Sequence, residues 1–393
     1  MKKVLYLYFL PLLLSFVFLY LLVRKTPFEV SPTHCVLDSL SAYTPYLDGN
    51  PYLEKKFLNF GDNDQLHILG SSELAARTYA SPDVFFPNNF AINTVAVGEA
   101  GNQSFSIYSQ LLTNKKDLGE AKIVVIVSPT WFMKSYASGV RASIYKRYNS
   151  ERMLSSIVSM EGDNFKNYAY RRIAEIFDQY PGRNNVAIDV IRNSYAVADT
   201  TVGVFQRLFI NKPLLSLDQL VLNSQKRKDT VSEMKIKRSS LRVKQGVSWD
   251  SLKLISKKAV NSRVTNNLWG INDDYYNTYI KGKTNLIEIV AINENNELED
   301  LTMIIKLLKS TKANAAFVIS PMNPFYYTNI DTLSSTILEI ESRIGVAGFP
   351  CLNLWNTDTS SNSKEVLMDV MHFSEHGWLR VNEFIFNTYY RKQ

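Results

Sequence analysis

The chain has 393 residues, of which 46% are apolar and 21% are charged, and it contains two cysteines and four histidines. This composition excludes a disordered or low-complexity protein, a disulfide-stapled fold and a cysteine-rich zinc site. The net charge is +7, but four of the basic residues lie within residues 1–25, which contain no acid. The remainder has only a small positive excess, so we predict no nucleic-acid partner.

An uncharged stretch, VLYLYFLPLLLSFVFLYLLV, occupies residues 4–23. As a helix it would be about 30 Å long, which matches the hydrocarbon thickness of a bilayer. A cleaved signal peptide is the alternative, but the run is long for one and no small-x-small cleavage site follows it. We therefore predict a single-pass anchor within residues 1–25, with residues 26–393 as one body at the membrane surface. The flanking charges barely favour an outside location for this body.

Beyond the anchor, short runs rich in Val and Ile alternate with helical patterns. The predicted strands are residues 65–70, 93–98, 123–128, 313–320 and 350–354. The predicted helices are residues 72–80, 103–112, 296–310, 333–344 and 377–390. Such apolar runs are typical of strands that are buried on both faces. The alternation predicts an α/β sandwich with a central parallel sheet.

The alternation is lost in residues 135–285, which are rich in Tyr, Arg, Lys and Asn. We predict that they form a mainly helical insertion or cap. Inside it, residues 225–244 hold eight basic residues against two acidic ones. This segment is either a solvated surface or a landing patch for a polyanion or for anionic lipid head groups.

The first chemical signal is Gly70-Ser71-Ser72-Glu73-Leu74, at the junction between a predicted strand and a predicted helix. Such a junction puts a serine hydroxyl at the carboxyl edge of the sheet, where open α/β folds bind ligands. Helix N-terminal amides beside it can stabilise an oxyanion. The alternative is a serine that only caps the helix.

The second signal is Asp369, which stands three residues before His372. One turn brings both side chains to the same side, so the carboxylate can orient the imidazole and the imidazole can deprotonate a serine. A buried structural pair is the alternative. His376 follows four residues later and competes for the role of base.

Together the two signals have the order found in SGNH (GDSL-type) hydrolases, with serine after the first strand and Asp-x-x-His before the last helix. By this resemblance Ser72, rather than Ser71, is the nucleophile. The chain departs from that family in one respect. Ser128-Pro129-Thr130-Trp131-Phe132 stands where the family has a Gly-x-Asn-Asp block.

A closer resemblance rests on a series of features in one order along the chain. They are the amino-terminal anchor, GSSEL at 70–74, GEAGNQS at 98–104, SPTWF at 128–132, SPMNP at 320–324 and DVMHFSEHGW at 369–378. Residues 266–271 and NELEDL at 296–301 add to the series. It resembles the DltD family over nearly the whole chain. The last motif departs from the family's His-Leu-Gly-Trp-x-Gly-Trp, because Glu375 and His376 replace its middle.

The DltD resemblance implies transfer of D-alanine, through a seryl ester, to teichoic or lipoteichoic acid on the outer face of a Gram-positive membrane. The implied partners are a membrane-bound O-acyltransferase and a D-alanyl carrier protein. Such ester transfer needs no metal and no other cofactor. One alternative is an SGNH esterase or deacetylase that acts on a cell-wall polymer. Another is a non-catalytic scaffold that recruits the carrier protein and the acyltransferase.

These arguments define the candidate residues. The predicted catalytic residues are Ser72, Asp369 and His372; the predicted oxyanion donors are Ser72 and Gly101; and the predicted pocket residues are Gln103, Trp131 and His376. Gly101 could equally be a turn glycine, and Trp131 a core aromatic residue. The remaining histidines, His34 and His67, are expected to be structural or on the surface. Cys35 and Cys351 either pair or remain separate thiols.

Overall fold

The structure of the protein is a computed structural model. It describes four residues near the amino terminus (11, 14, 15 and 17) and the ranges 41–178, 180, 188–192, 248–265, 267–283, 287–289, 295–358 and 365–391. Within these ranges no helix is both long enough and apolar enough to cross a membrane. The predicted anchor at residues 4–23 lies almost entirely outside the described residues, as do His34, Cys35 and the basic segment 225–244.

Six parallel strands form the central sheet, in the order β1-β3-β2-β4-β6-β8. They are β1 (Ser41–Thr44), β2 (Leu66–Leu69), β3 (Thr94–Val97), β4 (Lys122–Val127), β6 (Asn314–Ile319) and β8 (Cys351–Asn353). A separate parallel pair joins β5 (Ile287–Glu288) to β7 (Tyr327–Thr328). The predicted α/β architecture with a central parallel sheet is confirmed. The edge strand β1 was not predicted, because four half-buried residues give too short a pattern.

The strand order places a switch point at β2. From β2 the chain passes to β3 on one side and then crosses to β4 on the other side of β2. Open α/β sheets bind ligands at the carboxyl ends of the strands at such a point. Leu69, the last residue of β2, pairs in register with Val97 and with Val125. The chain segments that follow β2 and β3 therefore emerge at the same edge of the sheet.

Twelve α-helices have both ends within the described ranges, and two groups of them are built around α12 and around α10. They are α1 (Pro51–Phe57), α2 (Ser72–Ala75), α3 (Pro82–Phe90), α4 (Ser104–Thr113), α5 (Ala142–Tyr148), α6 (Glu151–Ser159), α7 (Asn164–Asp178), α8 (Trp249–Asn261), α9 (Asp273–Tyr275), α10 (Asn296–Ser310), α11 (Ser334–Ala347) and α12 (Glu375–Tyr389). Helix α12 contacts α3 and α8, whereas α10 contacts α4 and α11.

One face of the sheet packs on the first group of helices. Alternate residues of the central strands, Leu66 and Ile68 in β2 and Val124 and Ile126 in β4, belong to one buried cluster that includes Trp378 of α12. The spacing of two follows from the alternation of side chains along a strand. Burying each aliphatic side chain contributes roughly 1.5–3 kcal/mol, so this packing fixes α12, and the loop before it, against the sheet.

The helix after β2 is shorter than predicted. The sequence suggested a helix over residues 72–80, but α2 ends at Ala75 and α3 begins at Pro82. Ser81 precedes that proline and is therefore disfavoured in a helical conformation. Its hydroxyl instead accepts a hydrogen bond from the backbone N–H of Thr78 at 2.9 Å. The break leaves α2 as a single turn that carries Ser72 at its start.

The chain divides into two compact units, one made of residues 1–36 and 151–235 and the other of residues 37–150 and 236–393. Described parts of the first unit are helical, and α6 and α7 pack against each other there. The second unit contains the central sheet and every site described below.

Two glycines fix the approach of β3 to the turn after β2. A Cβ atom on Gly98 would lie 2.3 Å from the carbonyl oxygen of Gly70. We expect Gly98→Ala to lower the free energy of unfolding by about 1–3 kcal/mol, because backbone would have to move. Gly345→Ala is the matched control, since a Cβ there meets nothing within 4 Å. Urea denaturation of the full-length protein measures both, and equal stabilities would contradict the expected clash.

Candidate active site

In the turn between β2 and α2, the two adjacent serines make different contacts. The Ser71 N–H donates to Glu73 Oε1 at 2.6 Å, and the Ser71 hydroxyl donates to the Glu99 carbonyl at 3.2 Å. Ser72 is the first residue of α2 and directs its hydroxyl elsewhere. Gly70 allows this tight turn, because a Cβ there would lie 2.4 Å from Glu73 Oε1. Ser71 is therefore committed to holding the turn.

A short loop before α12 brings Asp369 and His372 together. An antiparallel bridge joins Leu367 to Phe373, and the Met368 N–H donates to the His372 carbonyl at 2.9 Å. Asp369 Oδ1 accepts the N–H groups of Met371 and His372 at 2.9 and 2.8 Å. These bonds satisfy one carboxylate oxygen within the loop and leave Oδ2 for the imidazole.

Ser72, His372 and Asp369 form one continuous hydrogen-bonded chain. His372 Nε2 lies 2.9 Å from Ser72 Oγ, and His372 Nδ1 lies 2.6 Å from Asp369 Oδ2. In this arrangement Asp369 accepts the Nδ1 proton, so Nε2 can take the proton of the serine hydroxyl. The distances lie within hydrogen-bond reach for a nucleophile and its base. Residues 300 positions apart in the sequence thus meet at the switch point of the sheet.

The loop after β3 is fastened beside the serine turn. Asn102 is fully buried, and its amide donates to the Gly70 carbonyl at 2.8 Å. Gly101 takes a φ of +87°, which glycine adopts without strain. The backbone N–H groups of Ser72 and Gly101 have no hydrogen-bond acceptor among the described residues. Both groups are therefore free to donate to a further acceptor.

A buried glutamate holds the same loop through hydrogen bonds. Glu297, near the start of α10, accepts the Ser104 N–H at 2.6 Å and the Gln103 side-chain amide at 3.2 Å. Gln103 also donates to the Tyr136 carbonyl at 2.8 Å. The predicted pocket residue Gln103 is therefore occupied in holding the loop. Sequence reasoning assigned no role to Glu297 or Asn102, although both lie in the motifs that carried the family resemblance.

The two other predicted pocket residues lie in different settings. Trp131 is buried in the 3-10 turn Pro129–Phe132 after β4, and only 3% of its surface is exposed. His376 lies in the first turn of α12, and its Nδ1 is 3.0 Å from Ser256 Oγ of α8. No hydrogen bond in the described ranges joins either residue to Ser72. Of the two histidines that competed for the base, His372 is the one beside the serine.

Two other titratable residues noted in the sequence lie away from the Ser72–His372–Asp369 chain. His67 is fully buried, and burial lowers its pKa to about 4, so it stays neutral within the sheet. Cys351 carries a free thiol, and burial raises its pKa to about 12. Within the described residues, no group of three or more His, Cys, Asp and Glu side chains is arranged to hold a metal ion.

Carboxylates around His372 favour its protonated form. Burial by itself lowers the pKa of His372, but the hydrogen bond to Asp369 and its charge, joined by the charges of Glu73 and Glu99, outweigh burial. The pKa of His372 therefore lies above its ordinary value. For the Glu73 carboxyl, burial has the opposite effect and raises the pKa, although the hydrogen bond from the Ser71 N–H lowers it.

This electrostatic setting predicts the pH dependence of the reaction. His372 must be neutral to accept the serine proton, so kcat/KM should rise with pH through the pKa of His372, above about 6.5. Glu99→Gln keeps the oxygen that accepts the Ala100 N–H but removes one charge that raises this pKa, so the acid limb should move to lower pH. Hydrolysis of a small uncharged ester measures the limb. An exposed control, Glu339→Gln, should leave the acid limb unmoved. An unmoved limb in Glu99→Gln would contradict the assignment.

Comparison with known proteins shows the family to which the chain belongs. A family model described as "DltD protein" matches residues 42–390. The chain is 22% identical to Protein DltD of Staphylococcus aureus over 393 residues, covering 96% of this chain and 94% of that protein. It is also 35% identical to Protein DltD of Bacillus subtilis over 100 residues, a quarter of each chain. The family match spans the sheet, both loops and the Ser72–His372–Asp369 chain, and this protein belongs to the DltD family.

Proposed function

We propose that the protein transfers D-alanyl groups to teichoic or lipoteichoic acid through an ester on Ser72. The DltD family is involved in D-alanylation of teichoic acids, which sets the substrate class. The observation that carries the mechanism is the hydrogen-bonded chain from Ser72 Oγ to His372 and Asp369. We also propose that the sheet is an SGNH-type fold, a view supported by serine after β2 and Asp-x-x-His before α12.

In the first half of the reaction, Ser72 Oγ attacks the carbonyl carbon of a D-alanyl donor while His372 Nε2 accepts the hydroxyl proton. The bond from that carbon to the donor's leaving group then breaks, and His372 returns the proton to the leaving group. The negative oxygen of the intermediate is held by the N–H groups of Ser72 and Gly101. Each donor of this kind lowers the activation free energy of acyl transfer by about 3–4 kcal/mol.

In the second half, a hydroxyl of the polymer takes the place of the leaving group. His372 removes its proton, its oxygen attacks the seryl ester, and Ser72 regains the proton as it departs. Water in place of the polymer would make the same machinery a hydrolase. The acceptor, rather than the triad, therefore distinguishes a transferase from an esterase.

We place residues 26–393 on the outer face of the membrane, tethered by residues 1–25, because the polymer acceptor lies outside. A membrane-bound O-acyltransferase would then be the partner that presents the acyl group. Contact with the D-alanyl carrier protein belongs instead to the scaffold alternative, which a location of the body on the cytoplasmic side would favour.

The function is tested by the esters that a deletion strain loses. A D-alanyl transferase predicts loss of D-alanyl esters from teichoic acid, with wall acetyl content unchanged. A cell-wall deacetylase predicts the reverse pattern. Both are measured in the same wall preparations, and complementation with the wild-type chain should restore the missing ester. A change in acetyl content alone would overturn the proposed substrate.

A further inference from the structure

A cavity that is open to solvent is lined mainly by residues of α8 and α12, and the proposed mechanism does not use it. Its volume is about 570 Å³, within the range of small-molecule sites. Its lining comprises Lys253, Lys257, Leu352, Glu365, His376, Arg380, Glu383, Phe384 and Asn387. Apolar Leu352 and Phe384 thus share the cavity with a majority of charged and polar side chains.

Two ion pairs neutralise most of the charge around the cavity. Lys253 Nζ lies 2.6 Å from Glu383 Oε2, and Lys257 Nζ lies 3.2 Å from Glu365 Oε2. Arg380, one turn along α12 from His376, has no ion-pair partner among the described residues, although it is half-buried. A guanidinium without a carboxylate partner gives the described lining residues a net positive charge. Arginine is the side chain best suited to the planar, multiple hydrogen bonding of phosphate oxygens.

The hydrogen bonds of His376 fix which of its ring nitrogens carries the proton. Ser256 Oγ donates its proton to the Lys253 carbonyl at 2.9 Å, so it accepts from His376 Nδ1 at 3.0 Å. Nδ1 therefore carries the proton, and Nε2 has no partner among the described residues. His376 is 95% buried, since only 5% of its surface is exposed, which makes this nitrogen a fixed and specific contact.

We propose that this cavity binds a phosphodiester, with the phosphate on Arg380 and His376. Protonation of Nε2 turns it into a second donor to the phosphate. Glu365, Glu383 and Asn387 provide acceptors and donors for hydroxyl groups, which favours a polyol phosphate over a simple carboxylate. The site stands apart from acyl transfer, because none of its lining residues is bonded to Ser72, Asp369 or Glu73.

The charges that face His376 determine how binding depends on pH. Burial lowers the pKa of His376, as do Lys257, Arg380 and Lys253, whereas Glu365 opposes them; Glu383 lies across the cavity. Without a ligand, the His376 ring is therefore uncharged at neutral pH. A bound phosphodiester keeps one constant charge while histidine titrates, so a gain in affinity on acidification reports protonation of His376.

The test is calorimetric titration of the full-length protein with glycerophosphoglycerol. Parallel titrations with inorganic phosphate, soluble polyglycerolphosphate and phosphatidylglycerol vesicles show whether the bound phosphate comes from the free ion, a polymer or a lipid head group. Arg380→Gln should weaken binding roughly tenfold, the value of one charge-assisted hydrogen bond. Lys306→Gln, an exposed charge loss on α10, should change nothing. Wild-type affinity should rise about threefold or more between about pH 7.5 and 5.5, and His376→Gln should remove that rise.

The same variants should hydrolyse a small uncharged ester at the wild-type rate, so failure here is distinct from failure of the acyl-transfer chemistry. Because the pH dependence uses the unaltered chain, it decides the matter even if a variant folds poorly. The phosphodiester site would be overturned if none of the four ligands bound measurably, or if Arg380→Gln left their binding intact.

Discussion

Replacing Ser72 by alanine is expected to lower ester transfer and hydrolysis by about four to six orders of magnitude, because a triad acts as a unit. Teichoic acid D-alanyl ester content in cells should fall to that of a deletion strain. His372→Ala should have a similar effect, and the double variant should be no worse than either single one. The measurements are single-turnover acyl transfer with the purified full-length protein and ester content in complemented strains.

Ser71→Ala is the matched control for this result, because it removes a neighbouring hydroxyl that is bonded to the Glu99 carbonyl and not to His372. We expect it to retain activity within about tenfold. A Ser72→Ala strain with near-normal D-alanyl ester content would refute catalysis at this site and would favour the scaffold alternative.

The second large effect is expected from Asp369→Asn. Asp369 Oδ1 accepts two backbone N–H groups, so the amide oxygen of asparagine should occupy the same position. The amide nitrogen then faces His372 Nδ1 and donates to it. This forces the ring proton onto Nε2, which can no longer accept the proton of Ser72. A loss of about three to four orders of magnitude should follow, somewhat less than for Ser72→Ala.

A pH profile separates this cause from simple misfolding. The Asp369→Asn variant should keep its free energy of unfolding within about 1 kcal/mol of the wild type. It should lose the raised pKa of His372, because Asp369 contributes most to raising it. A variant that folds normally and retains wild-type kcat/KM would show that Asp369 does not orient the base.

Much of the sheet could be predicted from the sequence, because its buried strands are continuous apolar runs. The strand predicted at residues 123–128 appears as Lys122–Val127, and the helix predicted at 296–310 appears with the same bounds. The first strand, Ser41–Thr44, has only alternate burial over four residues. Its position depends on pairing with β3, which no local pattern reports.

The site was predictable only where spacing in the sequence carries geometry. Asp369 and His372 lie within one turn, so their contact follows from local structure, and Ser72 follows from its place after β2. The roles of Glu297 and Asn102 depend on contacts between distant segments, such as the 2.6 Å bond from the Ser104 N–H to Glu297. His376 is close to His372 in sequence and therefore competes with it for the role of base, but its Nδ1 lies 3.0 Å from Ser256 Oγ of α8.

The most direct test of the central proposal is the detection of the seryl ester itself. The full-length protein is incubated with a D-alanyl thioester donor in the absence of polymer, quenched in acid and digested for peptide mass spectrometry. We expect one D-alanyl group on the peptide that contains Ser72. This group should be lost when polymer acceptor is added and should be absent in Ser72→Ala. Transfer of D-alanine to polymer with no adduct on Ser72, or an equal adduct in Ser72→Ala, would contradict this proposal.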